Sequence, residues 1–176
     1  MKRVFIFILI FSAFELFAQD NANFKTIYDD VDDVTTITHK DLEYNMGWYN
    51  IKESLSGERE NIQLYINNNA LIMAAIYQFS SWAFVEKLTF LNDNGSRCVI
   101  KISKHNREVL SGSAVREYLY TALIESETAA LKEVLSGPNP VVVYSGTKSR
   151  TDKLKIKPKV SAAMIETIAY FESMGE

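Results

Sequence analysis

Residues 82–102 constrain the fold more than any other stretch. Trp82, Phe84, Leu88 and Phe90 share one parity of an extended segment, Asp93-Asn94-Gly95 interrupts it, and Cys98, Ile100 and Ile102 alternate on the return. Asn-Gly accepts the positive φ angles that a type I′ turn demands, so the pattern predicts a β-hairpin with one apolar face. A hairpin needs neighbours to cover that face, which makes an antiparallel sheet the organising element.

The flanking sequence supplies those neighbours. Ile62, Leu64 and Ile66 alternate with polar residues, and Asn67-Asn68-Asn69 reads as a turn because Asn tolerates left-handed geometry. Ala70 to Phe79 is apolar, and its β-branched and aromatic content favours a strand over a helix. Leu42, Tyr44, Met46 and Trp48 alternate, so an irregular strand is expected within 42–56. Val141 to Tyr144 forms a compact strand ended by Gly146, with Leu154 and Ile156 as inward positions of the next. Residues 114–124 satisfy both helical and strand periods. Ser126 is placed to cap a helix running to Leu135, with Gly137 and Pro138 past its end. Ser161 is placed to cap a second, carrying Met164, Ile165, Ile168 and Phe171 on one stripe. The expected class is α+β: an antiparallel β-sheet, a meander with the Asn-Gly hairpin, and about two helices packed on one face. No βαβ alternation points to a parallel nucleotide-binding sheet.

The first residues follow a separate logic. Lys2 and Arg3 precede an apolar run from Val4 to Phe14 broken only by Ser12. That run is short of the roughly 20 residues a membrane-spanning helix needs, and it matches a secretory signal peptide over residues 1–18, with cleavage after Ala18. Export to the periplasm or the exterior is the expectation, with no transmembrane segment after cleavage. Removing residues 1–18 leaves 17 basic against 21 acidic side chains, a net charge of −4. This argues against nucleic acid as a partner, which calls for a basic face. Residues 19–41 are polar and carry Asp29-Asp30-Val31-Asp32-Asp33, read as an acidic leader or linker into a single domain over 42–176. Cys98 is the only cysteine, so no intrachain disulfide forms; its alternation with Ile100 and Ile102 makes it a small core hydrophobe.

The stretch Trp82-Ala83-Phe84-Val85-Glu86-Lys87-Leu88-Thr89-Phe90, its hairpin, the later Val141–Gly146 strand and the last amphipathic helix resemble a group of small exported bacterial proteins. The resemblance covers roughly residues 60–174. It implies a strand within 114–124. No activity attaches to that group, so no functional residue carries over.

Chemistry is sparse. His39 and His105 are the two histidines, and neither has a His or Cys neighbour at metal-ligand spacing, so no metal and no cofactor are expected. His105, in Lys104-His105-Asn106-Arg107, reads as part of a polar turn. Ser145-Gly146-Thr147-Lys148 has the S-x-x-K spacing of some serine nucleophiles, but it ends a strand where that motif should open a helix. No catalytic residue is assigned.

Two features point to binding. Tyr44, Trp48 and Tyr49 form an aromatic cluster of the kind exported peptide- or glycan-binding modules use, although core packing is the preferred reading of such rings. Lys153, Lys155 and Lys157 alternate with Leu154 and Ile156, placing the lysines on one strand face. They suit an anionic polymer, or they shield a sheet edge from pairing with another; the edge reading needs no ligand and is preferred. The expected function is a non-enzymatic exported domain with a binding or structural role in the envelope, its partner an envelope protein, a peptide or an anionic polymer. Its rivals are a peptide- or glycan-binding module and a hydrolase built around His39 or His105.

Overall fold

The computed structural model describes residues 22–42, 59–110, 115–148, 151 and 153–175. The class is α+β, with antiparallel strands throughout, but the strands form two sheets rather than one. The six-stranded sheet runs in the order β1 (Phe24–Asp29), β2 (Val34–His39), β3 (Arg59–Asn67), β4 (Ala70–Phe79), β8 (Val115–Ala122), β7 (Lys104–Val109). The four-stranded sheet runs β10 (Leu154–Lys155), β9 (Val141–Gly146), β5 (Val85–Leu91), β6 (Arg97–Lys101). Between β6 and β7 the chain leaves one sheet and joins the other across only Ile102 and Ser103, which is why two strands adjacent in sequence are not paired.

Helix α1 (Glu125–Ser136) packs on β5 and β6, helix α2 (Pro158–Ser173) packs on β2 and β3, and the helices pack on each other. The buried Ser161 hydroxyl donates to the Leu135 carbonyl at 2.8 Å and pins α2 to the end of α1. One core joins all these elements, with Leu64 and Met73 from the larger sheet, Phe90 and Tyr144 from the smaller, and Leu131 and Ile168 from the helices fully buried.

Four expectations change. The acidic leader is not a linker: residues 24–29 and 34–39 pair as a hairpin, Phe24↔His39 through Asp29↔Val34, and the Asp run supplies its turn, with Asp33 at φ 52°. The β-branched run Val34-Thr35-Thr36-Ile37-Thr38 is what makes β2. The type I′ geometry belongs to Asn68 and Asn69, at φ 42° and 64°, which close the two-residue loop of the β3–β4 hairpin between paired Asn67 and Ala70. The β5–β6 hairpin instead has a five-residue connection, 92–96, in which Gly95 alone is left-handed, at φ 86°. Within the expected 82–90 strand the register shifts between Val85 and Lys87. That extra residue reverses the parity, so Ala83 and Val85 are buried with Leu88 and Phe90 while Trp82 and Phe84 are only half-buried. Finally, neither helix uses the expected serine cap: α1 starts after Ile124, whose N–H donates to Glu127 at 3.2 Å, and α2 starts at Pro158. Pro fits the first helical turn because its missing N–H has no partner there.

Asn92 ties the hairpin to α1. Its side-chain Oδ1 accepts the N–H groups of Asn94 and Ser96 at 3.0 and 3.1 Å, while its Nδ2 donates to the Val134 carbonyl at 3.1 Å. A Cβ on Gly137 would come within 2.0 Å of that nitrogen, so glycine ends the helix here for space.

Candidate functional site

Lys153, Lys155 and Lys157 are exposed around β10, which lies at the edge of the four-stranded sheet. β10 is only two residues long because Pro158 turns the chain into α2 almost at once. Its pairing, Leu154↔Val142 and Lys155↔Val141, leaves the chain beside the C-terminal end of α1. The result is a cleft of ≈ 590 Å3 between the end of α1, β10 and the start of α2. Leu135, Pro140, Ile156 and Ile165 give it an apolar lining, and Lys155 and Lys157 stand at it. Lys153 is not part of the lining, and Lys159 is held 2.8 Å from Asp41. The sequence thus brought two of the three expected lysines to one cavity. Tyr44, Trp48 and Tyr49 lie outside the described residues.

A second, shallower groove of ≈ 410 Å3 lies on the face of the six-stranded sheet away from the helices. Tyr65 and Tyr120 contribute half-buried rings and Asn67, Asn106 and Ser103 contribute polar atoms. Burial raises the hydroxyl pKa of Tyr65 and Tyr120, so both remain phenols that donate hydrogen bonds across the physiological range. Alternation within β3 and β8 carried this signal, since both tyrosines fall on the parity opposite Leu64 and Leu119.

Both ring nitrogens of His39 are engaged. His39 is buried, its Nδ1 accepts the Asp41 N–H at 3.1 Å, and its Nε2 lies 3.1 Å from a Glu166 oxygen. That bonding pattern assigns the proton to Nε2 and leaves no lone pair for a substrate. His105 is exposed in edge strand β7 rather than in a turn. Lys148 points its ammonium at the Phe84 ring, 4.7 Å from the centroid. Cys98 is buried under α1 with its Sγ 3.5 Å from the Glu127 carbonyl. Burial first, and the Glu127 charge second, push its thiol up to about 11, which keeps it protonated and unreactive at neutral pH. Among the described residues no cluster of His, Cys, Asp and Glu could hold a metal ion, and no helix is long and apolar enough to cross a membrane.

The residue that sequence reasoning missed is Glu117. It is fully buried on the inward face of β8, between Val115 and Leu119. Its Oε1 accepts the N–H groups of Ala83 and Phe84 at 2.9 and 2.7 Å, and its Oε2 accepts that of Val85 at 3.0 Å. Arg107 Nε stands 3.5 Å away. Three successive N–H groups converging on one anion form a backbone nest, and here the chain provides its own anion. The nest requires Phe84 in the left-handed region, at φ 52°, which costs on the order of 1–2 kcal/mol for a residue with a side chain. Cations at both Arg107 and Lys148, 4.9 and 4.7 Å from the Phe84 ring, help hold it. The signal was available: an acidic residue between Val115 and Leu119 at one parity of the strand. Its chemistry is structural, because every oxygen lone pair it directs is engaged by the backbone or Arg107.

No protein-family model, curated protein or solved structure matches the chain.

Proposed function

We propose that the protein is a non-enzymatic exported binding domain that holds an acidic, partly apolar peptide segment of an envelope partner. The observation that carries this reading is the cleft at the end of α1, whose apolar lining is set beside Lys155 and Lys157. Its volume falls within the 300–1,000 Å3 typical of ligand sites. An apolar side chain buried there would gain from leaving water, and flanking carboxylates would meet the two ammonium groups. Export is supported by the layout of residues 1–18.

A fluorescent Glu/Tyr copolymer tests it, with polyglutamate and a Lys/Tyr copolymer as controls. The Glu/Tyr polymer should bind best, and its affinity should fall between about 0.05 and about 0.5 M salt, as the Debye length shrinks from roughly 14 to roughly 4 Å and screens these exposed charges. Lys155→Ser with Lys157→Ser should weaken it about tenfold, since exposed pairs contribute up to about 1 kcal/mol each. Binding that ignores both substitutions would refute the reading.

A second reading rests on the tyrosine groove, whose rings and amides suit a neutral glycan. Chito-oligosaccharide binding that is lost in Tyr120→Ala and indifferent to salt would establish it in place of the first.

A further inference from the structure

Two parts of this chain complement each other while standing apart in the same molecule. The first is the cleft at the end of α1, with Lys155 and Lys157 beside its apolar lining. Both lysines are exposed, and neither has a hydrogen bond or ion pair among the described residues. The second is the turn between β1 and β2, residues 30–33, in which Val31 is 87% exposed between Asp30 and Asp32. Turns of this kind favour Gly, Asn, Asp or Ser. The β-branched Val31 adds nothing to the turn's geometry, and it has no place in the core.

The turn is shaped by its own residues. Asp29 Oδ1 accepts the N–H groups of Val31 and Asp32 at 3.0 and 3.4 Å, and the Tyr28 hydroxyl donates to Asp33 at 2.9 Å. At its base the Thr35 N–H donates to Asn68 Oδ1 at 2.9 Å, and the Asn68 N–H donates back to the Thr35 carbonyl at 3.1 Å. Asp29 and Asp33 are therefore engaged within the turn. Asp30 and Asp32 are exposed and have no hydrogen bond or ion pair among the described residues. The turn thus offers outward the order carboxylate, isopropyl, carboxylate, on a frame with little freedom left to lose on binding.

That order matches the cleft, but not the cleft of the same molecule. None of residues 29–33 lines it. Contacts onto α2 run from Asp41 at Lys159, through His39 at Glu166, to Phe24 stacked on Tyr170. They pass from the first turn of α2 towards its last, away from the cleft. The β1–β2 turn lies a further five strand residues from Phe24, about 17 Å along the hairpin.

We infer, on the peptide-binding reading above, that the partner of the cleft is a second copy of this chain: Val31 of one molecule enters the apolar lining of another, and Asp30 and Asp32 meet Lys155 and Lys157. The two surfaces differ, so the contact is head-to-tail. Each pair keeps a free turn at one end and a free cleft at the other, and association continues past the dimer unless a ring closes. One short turn is a small contact, so self-association should be weak, showing at roughly 0.1–1 mM protein.

The test is sedimentation of the full mature chain up to about 1 mM, with two variants. The turn variant carries Asp30→Asn, Val31→Ser and Asp32→Asn; the cleft variant carries Lys155→Ser and Lys157→Ser. The native protein should form oligomers that grow with concentration and recede with added salt. Each variant alone should self-associate at least tenfold more weakly while its circular dichroism and melting stay native. Mixed, the two should form a heterodimer and nothing larger, because the cleft variant supplies the turn and the turn variant supplies the cleft. Two folded variants that fail to combine overturn the inference, as does self-association that persists in either one. The Glu/Tyr copolymer separates the two levels. A protein that stays monomeric but binds the copolymer through Lys155 and Lys157 refutes the second copy as partner and leaves the peptide-binding cleft standing. A protein that does neither refutes both.

Discussion

At Glu117 a carboxylate with no exposure to water accepts three backbone N–H groups from a segment more than thirty residues away in sequence. Glu117→Gln keeps the shape but turns one acceptor into an NH2 group facing a backbone donor. Leaving that donor unsatisfied and removing the charge that Arg107 faces should together cost about 2–4 kcal/mol. Urea denaturation measures it; a loss below about 1 kcal/mol would mean that the 83–85 turn holds its geometry without the carboxylate. The neighbouring Arg116 is also buried, its guanidinium 2.8 Å from Gln78 and from Glu108. Arg116 and Glu117 are adjacent in sequence and opposite in charge. In the fold the two side chains take opposite faces of β8 and different partners, because consecutive strand residues point apart.

Among the elements, the β3–β4 hairpin is the one whose turn chemistry can be tuned. Asn69 adopts φ 64° and Asn68 φ 42°. Asn68 must stay, because its Oδ1 accepts the Thr35 N–H at 2.9 Å and links the loop to β2. Asn69→Gly should raise stability by about 0.5–1 kcal/mol by relieving left-handed strain, and Asn69→Ala should lower it by a similar amount. Thermal melting of the pair of variants decides the sign. The same element shows what alternation could and could not reveal. Ile62, Leu64 and Ile66 marked β3, and the β-branched content of 70–79 marked β4, because burial of one face leaves its period in the residues. Hairpin β1–β2 escaped because its acidic turn outweighed a short β-branched run. The bulge at 85–87 escaped because a one-residue insertion leaves no compositional trace, yet it moves Trp82 and Phe84 off the inner face. The lysines of the cleft were legible as a stripe; their apolar partners Leu135 and Ile165 were not, since only the crossing of α1 and α2 sets them beside β10.

Over the whole molecule, both sheets and both helices share one buried cluster. Phe90 sits in it with no exposure, paired across to Cys98 on one side and Val142 on the other. Phe90→Ala should cost about 3–5 kcal/mol. Because the core is continuous, amide hydrogen exchange should accelerate together in β4 and β5, in different sheets; acceleration confined to β5 would show that the sheets unfold independently. The Glu117 nest adds a direction in time. A chain is synthesised from its amino end, and Phe84 is made 33 residues before the side chain that accepts its N–H. Until β8 exists, no other side chain among the described residues supplies an anion to the amides of residues 83–85. Any nascent or truncated chain that stops short of residue 117 therefore carries that corner unset.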